Sequence, residues 1–226
     1  MDQRFPHEFI TWHHKTPVGI KVNEVFGMDS KSGKVWIELA RQIYSEQGEH
    51  FYREIDHYEN GAPFLVGYSG RISITHTSHF LAVASLPKTP EVDLSVFNPR
   101  SAMGIDAEPV DRSQVLKVRN RFLSEEDEII VDKDDLFINV LAWTAKEALY
   151  KAAMTPGLDF RNSLQIKSLP VPQEESDFNK QPVLGKADII FPPQSAISIQ
   201  EMYLYSYISY GCVVTIAFSP KCAKFG

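Results

Sequence analysis

At 226 residues and 43% apolar composition, the chain is long enough for a sizeable core, which excludes a disordered, collagenous or fibrous protein. Its formal net charge of −6 argues against nucleic acid as the partner, because binding to a phosphate backbone requires a broadly basic face. No stretch reaches the roughly eighteen uninterrupted apolar residues of a membrane helix and the N-terminus lacks an apolar signal region, so we expect a cytoplasmic protein with no membrane partner.

The first predicted elements are a helix and two strands. Between about residues 33 and 47, apolar side chains recur at helical spacing, which predicts a helix that faces the core. The turn sequence YENGAP follows at residues 58–63, and residues 71–87 then read as a strand, a polar break and a second strand. The break would suit a loop that binds phosphate through Thr75, His76 and Thr77, but His76 and His79 could equally be surface loop residues.

A pair of acids ends the next predicted strand, SAMGIDAEP at residues 101–109. Asp106 and Glu108 are two residues apart, so their side chains project from the same face of the strand. Adjacent carboxylates repel unless a cation neutralises them, and hard oxygen ligands with phosphate nearby suit Mg²⁺ rather than zinc. Taken alone, however, such a pair is more often an ordinary solvent-facing strand end.

A basic run without acids, RSQVLKVRNR, occupies residues 112–121 of this otherwise acidic chain. It predicts either a surface that docks an acidic protein or a solvated helical face. Ser124 suits a helix N-cap, because three acids follow it and complement the positive end of the helix dipole. Asp134 or Asp135 should cap a longer helix that ends before the TPG sequence at residues 155–157.

The long helix carries a cluster of polar and aromatic side chains at spacings of three, four and eight residues: Trp143, Lys146, Glu147 and Lys151. These spacings place the four on one side of the helix, away from the main apolar stripe. Glu147 could then offer a third carboxylate to the metal, and the ammonium groups could stabilise charge on phosphate oxygens. The alternative is an exposed Glu-to-Lys pair, which would contribute about 0.3 kcal/mol.

The remaining chain alternates β-prone runs with turns. SLQIKSL and ADIIF predict strands, and MYLYSYISYGCVVTIAFSP predicts a hairpin that turns near Tyr210 and Gly211. Cys212 and Cys222 are too few for a disulfide scaffold, so we expect two free thiols. The apolar segments FLAVASLP and VVTIAFSP are faintly alike, which is weak support for an internal duplication.

Taken in order, these pieces resemble the 4′-phosphopantetheinyl transferase superfamily, in particular its larger, surfactin-synthetase-activating type. The family's G-I/V-D-x-E motif is matched by GIDAE at residues 104–108, and its W-S/T-x-K-E-A-x-x-K motif by WTAKEALYK at residues 143–151. RFLSEEDE at residues 121–128 resembles the R-F-F-S-x-x-E segment, and ITHT at residues 74–77 resembles I-S-H-S. GLDFRNSLQI resembles the continuation after the long helix, so the resemblance covers about residues 70–168.

The resemblance implies an α+β fold of two pseudo-twofold-related α/β halves, approximately residues 1–108 and 109–226, with coenzyme A in the cleft between them. It implies a Mg²⁺-dependent holo-[acyl-carrier-protein] synthase. Such an enzyme transfers the 4′-phosphopantetheine arm of coenzyme A to a serine of an apo acyl or peptidyl carrier protein and releases 3′,5′-ADP. Carriers of fatty acid, polyketide or peptide biosynthesis are all compatible acceptors, and the larger type commonly works as a monomer.

The resemblance also implies roles for individual residues. The metal ligands would be three carboxylates, Asp106, Glu108 and Glu147. The cofactor-binding residues would be His76, Thr77, Lys146 and Lys151. The catalytic residues would be Lys151, which contacts the phosphate under attack, and Glu147, which takes the proton of the attacking serine directly or through a water.

Carrier proteins are acidic, and the family docks them near the segment that follows the D-x-E motif. The resemblance therefore favours the basic run as the docking surface, with Arg112, Lys117, Arg119 and Arg121 as its candidate contacts. Charge complementarity of this kind affects recognition of the carrier more than binding of coenzyme A. Arg121 could instead be structural and anchor the helix that begins at Ser124.

The chain departs from the family pattern at Ala62. Relatives often carry G-K-P ahead of the I-S-H-S segment, with the lysine on the 3′-phosphate of coenzyme A, whereas this chain has Gly61, Ala62 and Pro63. The missing charge could come from Arg71 or from an N-terminal lysine such as Lys15 or Lys21. Without such a replacement, affinity for the 3′-phosphate should be weaker.

Two other functions are compatible with the sequence. One is a non-catalytic homologue that binds coenzyme A or a nucleotide, although such a protein has no physical need to keep three repelling carboxylates. The other is a Mg²⁺-dependent diphosphate hydrolase, in which water takes the place of the serine hydroxyl. Dependence on an acceptor separates the transferase from the hydrolase.

Overall fold

The computed structural model describes residues 14–15, 20–26, 55–86, 92–174 and 181–225, and within them the chain is a mixed α/β protein. The helix predicted near residues 33–47 lies outside these described residues. No helix in the described ranges is both long and apolar enough to cross a membrane.

The first sheet has the strand order β1-β2-β6-β5 and is antiparallel throughout. A separate two-stranded hairpin, β3–β4, carries the predicted YENGAP turn. The strands of this part are β1 (His14–Lys15), β2 (Lys21–Phe26), β3 (Ile55–His57), β4 (Pro63–Leu65), β5 (Ile72–His76) and β6 (Phe80–Ser85).

The second sheet has the order β7-β11-β10-β9-β8, and all its strand pairs are also antiparallel. The hairpin between β10 and β11 turns at Tyr210 and Gly211, whose φ angles of 47° and 73° suit a tight two-residue turn, as predicted. Its strands are β7 (Met103–Pro109), β8 (Leu164–Ser168), β9 (Gly185–Ile190), β10 (Ile199–Ser209) and β11 (Cys212–Phe218).

The predicted boundary between the halves, at residues 108 and 109, falls inside β7, a strand of the second sheet. The pseudo-twofold relation of the halves stays a prediction. Both cysteines are buried and free, as expected from their number.

Three α-helices lie in the described ranges: α1 (Gln114–Phe122), α2 (Glu125–Ile130) and α3 (Leu136–Ala153). Ser124 caps α2 with a reciprocal capping box, and Asp135 caps α3, so both predicted starts are confirmed. The chain leaves α3 at Met154, which takes a left-handed conformation. A 3₁₀ helix, Pro220–Phe225, follows the last strand.

The two sheets pack face to face, and the helices cover the other face of the second sheet. Successive side chains of β7 point alternately to the first sheet and to the helices. Met103, Ile105 and Ala107 belong to the apolar cluster between the sheets. The intervening residues 104, 106 and 108 point towards α3. The acids of the predicted strand therefore face the long helix.

A buried carboxylate also joins the two sheets. Glu24 of β2 accepts hydrogen bonds from the hydroxyls of Tyr207, at 2.5 Å, and Ser209, at 2.7 Å, both on β10. Burial raises the pKa of Tyr207 well above its usual value, so the phenol remains a donor to this carboxylate. These contacts fix the first sheet against the second.

The edges of the two sheets meet where β5 runs beside β7. Ser73 Oγ accepts from the backbone N–H of Ile105 at 3.0 Å, and Thr75 Oγ1 accepts from that of Ala107 at 3.1 Å. Because β7 is an edge strand, these hydroxyls satisfy amides that no neighbouring strand could reach. Strand β5 is thereby held next to Asp106.

Candidate active site

Gly104 allows the long helix to lie directly against β7. A Cβ at this position would lie 2.2 Å from the carbonyl oxygen of Ala148 and 2.6 Å from the backbone nitrogen of Ala152, both in α3. Such distances are far inside van der Waals contact, so no residue with a side chain fits here without a shift of the helix. The glycine of the GIDAE sequence therefore determines how close Glu147 and Lys151 come to Asp106.

We expect Gly104→Ala to destabilise the protein by about 1–3 kcal/mol, because the added methyl group overpacks the contact between β7 and α3. Urea unfolding measures this cost. Gly211→Ala is the matched control: its Cβ would meet no atom within 4 Å, and its cost of about 1 kcal/mol arises only from the positive φ angle. Equal stability of wild type and Gly104→Ala would contradict the proposed close packing.

Asp106 is the best-held acid of the site. Its Oδ1 accepts from Lys151 Nζ at 2.7 Å and from Thr75 Oγ1 at 3.1 Å, and the residue is only 6% exposed. Its Oδ2 is buried and has no hydrogen-bond partner among the described residues. A buried carboxylate oxygen without a partner is costly, so this atom is suited to an external ligand such as a cation.

Glu147 lies one helical turn before Lys151 and interacts electrostatically with Asp106. Burial, and next the charge of Asp106, raises the pKa of Glu147 to about 7, although Lys151 and Arg112 oppose the rise. The two carboxylates thus repel each other in the protein alone. A divalent cation between them would remove that repulsion.

Glu108 is held differently from the other two acids. Its Oε1 accepts from the indole N–H of Trp143 at 3.1 Å and forms an ion pair with Arg112. The Arg112 guanidinium also lies 5.9 Å from the centre of the Trp143 ring. Glu108 is therefore already neutralised by a cation that belongs to the chain itself.

The three predicted metal ligands are thus not equivalent. Among the described residues, no group of three His, Cys, Asp or Glu side chains is arranged to hold a metal ion. Asp106 and Glu147 fit a cation by their repulsion and by the unpartnered Oδ2 atom. Glu108 already has Trp143 and Arg112 on its Oε1 atom, so only its Oε2 atom could become a ligand without displacement of Arg112.

A cleft of about 360 Å³ opens beside Asp106 and Lys151. The β3–β4 hairpin, strand β5 and the end of α3 form its walls, and Arg71, Thr75 and His76 line it. Its size and its mixture of apolar surface with a few charged groups are typical of a small-molecule site. The hairpin is anchored to the end of α3 by Asn60, whose Nδ2 donates to the carbonyl of Met154 at 2.9 Å.

The structure contradicts the prediction that Lys146 binds the cofactor. Its ammonium group is fully buried in an ion pair with Asp127 at 2.5 Å, and it also donates to the carbonyl of Phe160 at 2.9 Å. Lys146 and Lys151 are five positions apart, which places them about 140° from each other around a helix. Lys146 therefore faces the core while Lys151 faces Asp106.

The three residues predicted from the ITHT segment have different positions. His76 is exposed at the end of β5 and lines the cleft. Thr77 does not line the cleft. Its Oγ1 accepts from the amides of His79 and Phe80 in the turn between β5 and β6. The structure thus favours a structural role for Thr77, whereas Thr75, which the sequence also suggested, lies at the site.

Most of the predicted basic run lies in α1, but its basic side chains do not form one surface. Arg119 is only 14% exposed; it contacts Asn139 Oδ1 and forms an ion pair with Glu128 at 3.7 Å. Arg112 is engaged with Glu108, as described above. Lys117 and Arg121 are exposed on the helix. The structure therefore contradicts Arg119 as a docking contact and leaves Lys117 and Arg121 available.

Three contacts of the site were missed at the level of sequence, although Trp143 and Thr75 themselves were candidates. The bond from Trp143 to Glu108, the anchor provided by Asn60 and the capping of Asp106 by Thr75 all join positions distant in the chain. Asn60 stands in a turn sequence, which is a local signal that predicts the turn and not its distant partner. Of these three contacts, only the one made by Thr75 had a usable sequence signal, the hydroxyl-rich segment around that residue.

Comparison with known proteins covers the part of the chain that holds the carboxylates and Lys151, but not β3–β5, which line much of the cleft. The model of the 4′-phosphopantetheinyl transferase superfamily matches residues 102–191, which include all of β7 and α3. No curated protein matches the chain significantly. Residues 102–191 of this chain are therefore similar to the 4′-phosphopantetheinyl transferase superfamily.

Proposed function

We propose that the chain transfers the 4′-phosphopantetheine arm of coenzyme A to a serine of an apo carrier protein and releases 3′,5′-ADP. The family match supports phosphopantetheine transfer in general. The observation that carries the proposal is the position of Asp106. It has one oxygen on Lys151 and one buried oxygen without a partner among the described residues, beside an open cleft.

The carboxylates are suited to a magnesium-dependent reaction of a diphosphate. Asp106 and Glu147, joined by Glu108, would hold Mg²⁺, which polarises phosphate oxygens and offsets the charge on the departing 3′,5′-ADP. Glu108 is the weakest member of the set, because the Arg112 cation on its Oε1 atom already offsets its charge.

The protein's own groups position and activate the reactants. Lys151 would contact the phosphate under attack, because its ammonium lies on the wall of the cleft. The serine oxygen forms a new bond to the phosphorus that carries the pantetheine arm, and the bond from that phosphorus to 3′,5′-ADP breaks. Glu147 takes the serine proton, directly or through a water.

Intact-mass spectrometry of an apo carrier protein tests the proposed reaction. After incubation with coenzyme A, Mg²⁺ and this protein, we expect the carrier to gain the mass of one phosphopantetheine arm. A carrier with its serine replaced by alanine is the control and should gain nothing. Release of 3′,5′-ADP without any carrier would instead indicate a hydrolase, and stoichiometric binding of coenzyme A without turnover would indicate a binding module.

We also propose that the exposed side of α1 docks the carrier. Lys117 and Arg121 are four positions apart and exposed, and Leu116, which precedes Lys117, is 37% exposed. A cationic face with an apolar contact complements the acidic surface that carrier proteins present. Arg119 takes no part in this surface, because its guanidinium is used inside the fold.

We expect Lys117→Glu with Arg121→Glu to raise the KM for the carrier about tenfold or more and to leave the KM for coenzyme A unchanged. Steady-state kinetics with each substrate varied in turn measures both constants. Lys133→Glu, another exposed lysine outside α1, is the matched control. An unchanged carrier KM in the double variant would remove α1 from the docking surface.

A further inference from the structure

Arg71 is buried in the wall of the cleft without the partners that a buried guanidinium normally has. The residue is 3% exposed and lies immediately before β5. Its Nε and Nη1 atoms have no hydrogen-bond partner among the described residues. Its Nη2 atom reaches the carbonyl of Lys151, but only at 3.4 Å.

The electrostatic surroundings of Arg71 do not neutralise it. Burial lowers its pKa to about 10, and the opposing influence comes from the Tyr58 hydroxyl, which is neutral at physiological pH. No carboxylate of the described residues forms an ion pair with it. A guanidinium that stays charged, buried and unpaired is unfavourable in the protein alone, so an anion in the cleft would stabilise it.

The chemistry of coenzyme A offers one phosphate that the proposed reaction leaves unassigned. Its diphosphate is the group for Asp106, Glu147 and Lys151. The remaining anion is the monoester phosphate on the 3′ position of its ribose, a dianion near neutral pH. Guanidinium groups bind phosphate oxygens well because they are planar, permanently charged and rich in donors.

We propose that Arg71 binds the 3′-phosphomonoester of coenzyme A and makes the protein selective for coenzyme A over its 3′-dephospho form. This inference rests on the proposed function and names the group of the substrate, its 3′-phosphate, that the cleft recognises. Ala62 lines the same cleft and brings no charge to it. Lys21 is exposed on β2 and does not line the cleft, and the Lys15 side chain lies outside the described residues.

Calorimetric titration with coenzyme A and with 3′-dephospho-coenzyme A, in EDTA to prevent turnover, tests this assignment. We expect the wild type to bind coenzyme A at least tenfold more tightly than the dephospho form. Arg71→Met should weaken binding of coenzyme A at least tenfold and leave the dephospho form unchanged, so that selectivity disappears. Arg71→Lys should retain part of the selectivity, and Lys21→Met should retain all of it.

Thermal unfolding shows whether Arg71 is instead a structural residue. Without ligand, Arg71→Met should unfold at the same temperature as the wild type or higher, because it removes an unpaired buried charge. If Arg71→Met does not fold, Arg71→Lys still reports on selectivity. Unchanged selectivity in the folded variant, or equal weakening of both ligands, would overturn the assignment.

The outcomes also separate this inference from the proposed function. Transfer to a carrier, with a selectivity for coenzyme A that survives in Arg71→Met, would keep the function and reject the role of Arg71. Selectivity that depends on Arg71, in a protein that never modifies any carrier, would keep the phosphate site and reject the transferase.

Discussion

Replacing Glu147 by Gln is expected to lower the rate of phosphopantetheine transfer about 10³-fold, because the variant loses the proposed base and one metal ligand. The same change is expected to stabilise the metal-free protein at pH 8. Loss of activity with a gain in stability is typical of a residue kept for function at a cost to the fold. A residue with a purely structural role would show the opposite effect on stability.

The direction of the stability effect follows from the pKa of Glu147. Its value rises from an ordinary 4.5 to about 7 on folding, so the folded protein binds the proton more tightly than the unfolded chain does. This contribution is fully present below pH 4.5 and is lost as the pH rises through 7. Allowing for partial exposure of the carboxyl, we expect the ionised group to cost on the order of 1–3 kcal/mol at pH 8.

Urea unfolding in EDTA at pH 5 and pH 8 measures this effect. The advantage of Glu147→Gln over the wild type should be larger at pH 8, and added Mg²⁺ should stabilise the wild type more than the variant. Glu201→Gln removes an exposed carboxyl from β10 and is the matched control. A variant that is less stable than the wild type at both pH values would contradict the repulsion between Glu147 and Asp106.

Lys146→Met is expected to destabilise the protein by about 3–5 kcal/mol, because it leaves the charge of Asp127 buried without its cation. Asp127 is fully buried; its Oδ2 accepts from the Ser124 amide and from Lys146, and its Oδ1 accepts from the Ile166 amide at 2.9 Å. One carboxylate therefore connects α2, α3 and β8. Chemical unfolding of the variant gives the cost directly.

Two further variants distinguish a structural lysine from a ligand contact. Adding Asp127→Asn to Lys146→Met should recover part of the lost stability, since the amide oxygen still accepts hydrogen bonds without an unpaired charge. Lys167→Met breaks a surface ion pair with Asp188, of 3.6 Å, and should cost less than 1 kcal/mol. If Lys146→Met were as stable as the wild type but bound coenzyme A weakly, the lysine would be a cofactor contact after all.

Local features of the fold could be predicted because their causes are local. The caps at Ser124 and Asp135 and the turn at Tyr210 and Gly211 each depend on side chains within a few residues of one another. The alternation of side chains along a strand likewise predicted from the sequence that Asp106 and Glu108 lie on one face of β7.

Most of what the sequence could not predict depends on contacts between distant elements. Spacing alone grouped Lys146 with Lys151, but the position of Asp127 in the core determines which way Lys146 points. The cation beside Glu108 comes from Arg112, which the family resemblance had suggested for a docking surface. Arg71 was a candidate for a missing charge, and its burial without a partner became visible only in the folded chain.

The most direct test of the carboxylate site is a crystal structure with coenzyme A and Mn²⁺ in place of Mg²⁺, because manganese is located by its anomalous scattering. We expect an anomalous peak within bonding distance of Asp106 Oδ2 and of the Glu147 carboxylate, in contact with the diphosphate. A diphosphate bound elsewhere, or a cleft in which Glu147 points away from Asp106 and no ion lies between them, would contradict the account.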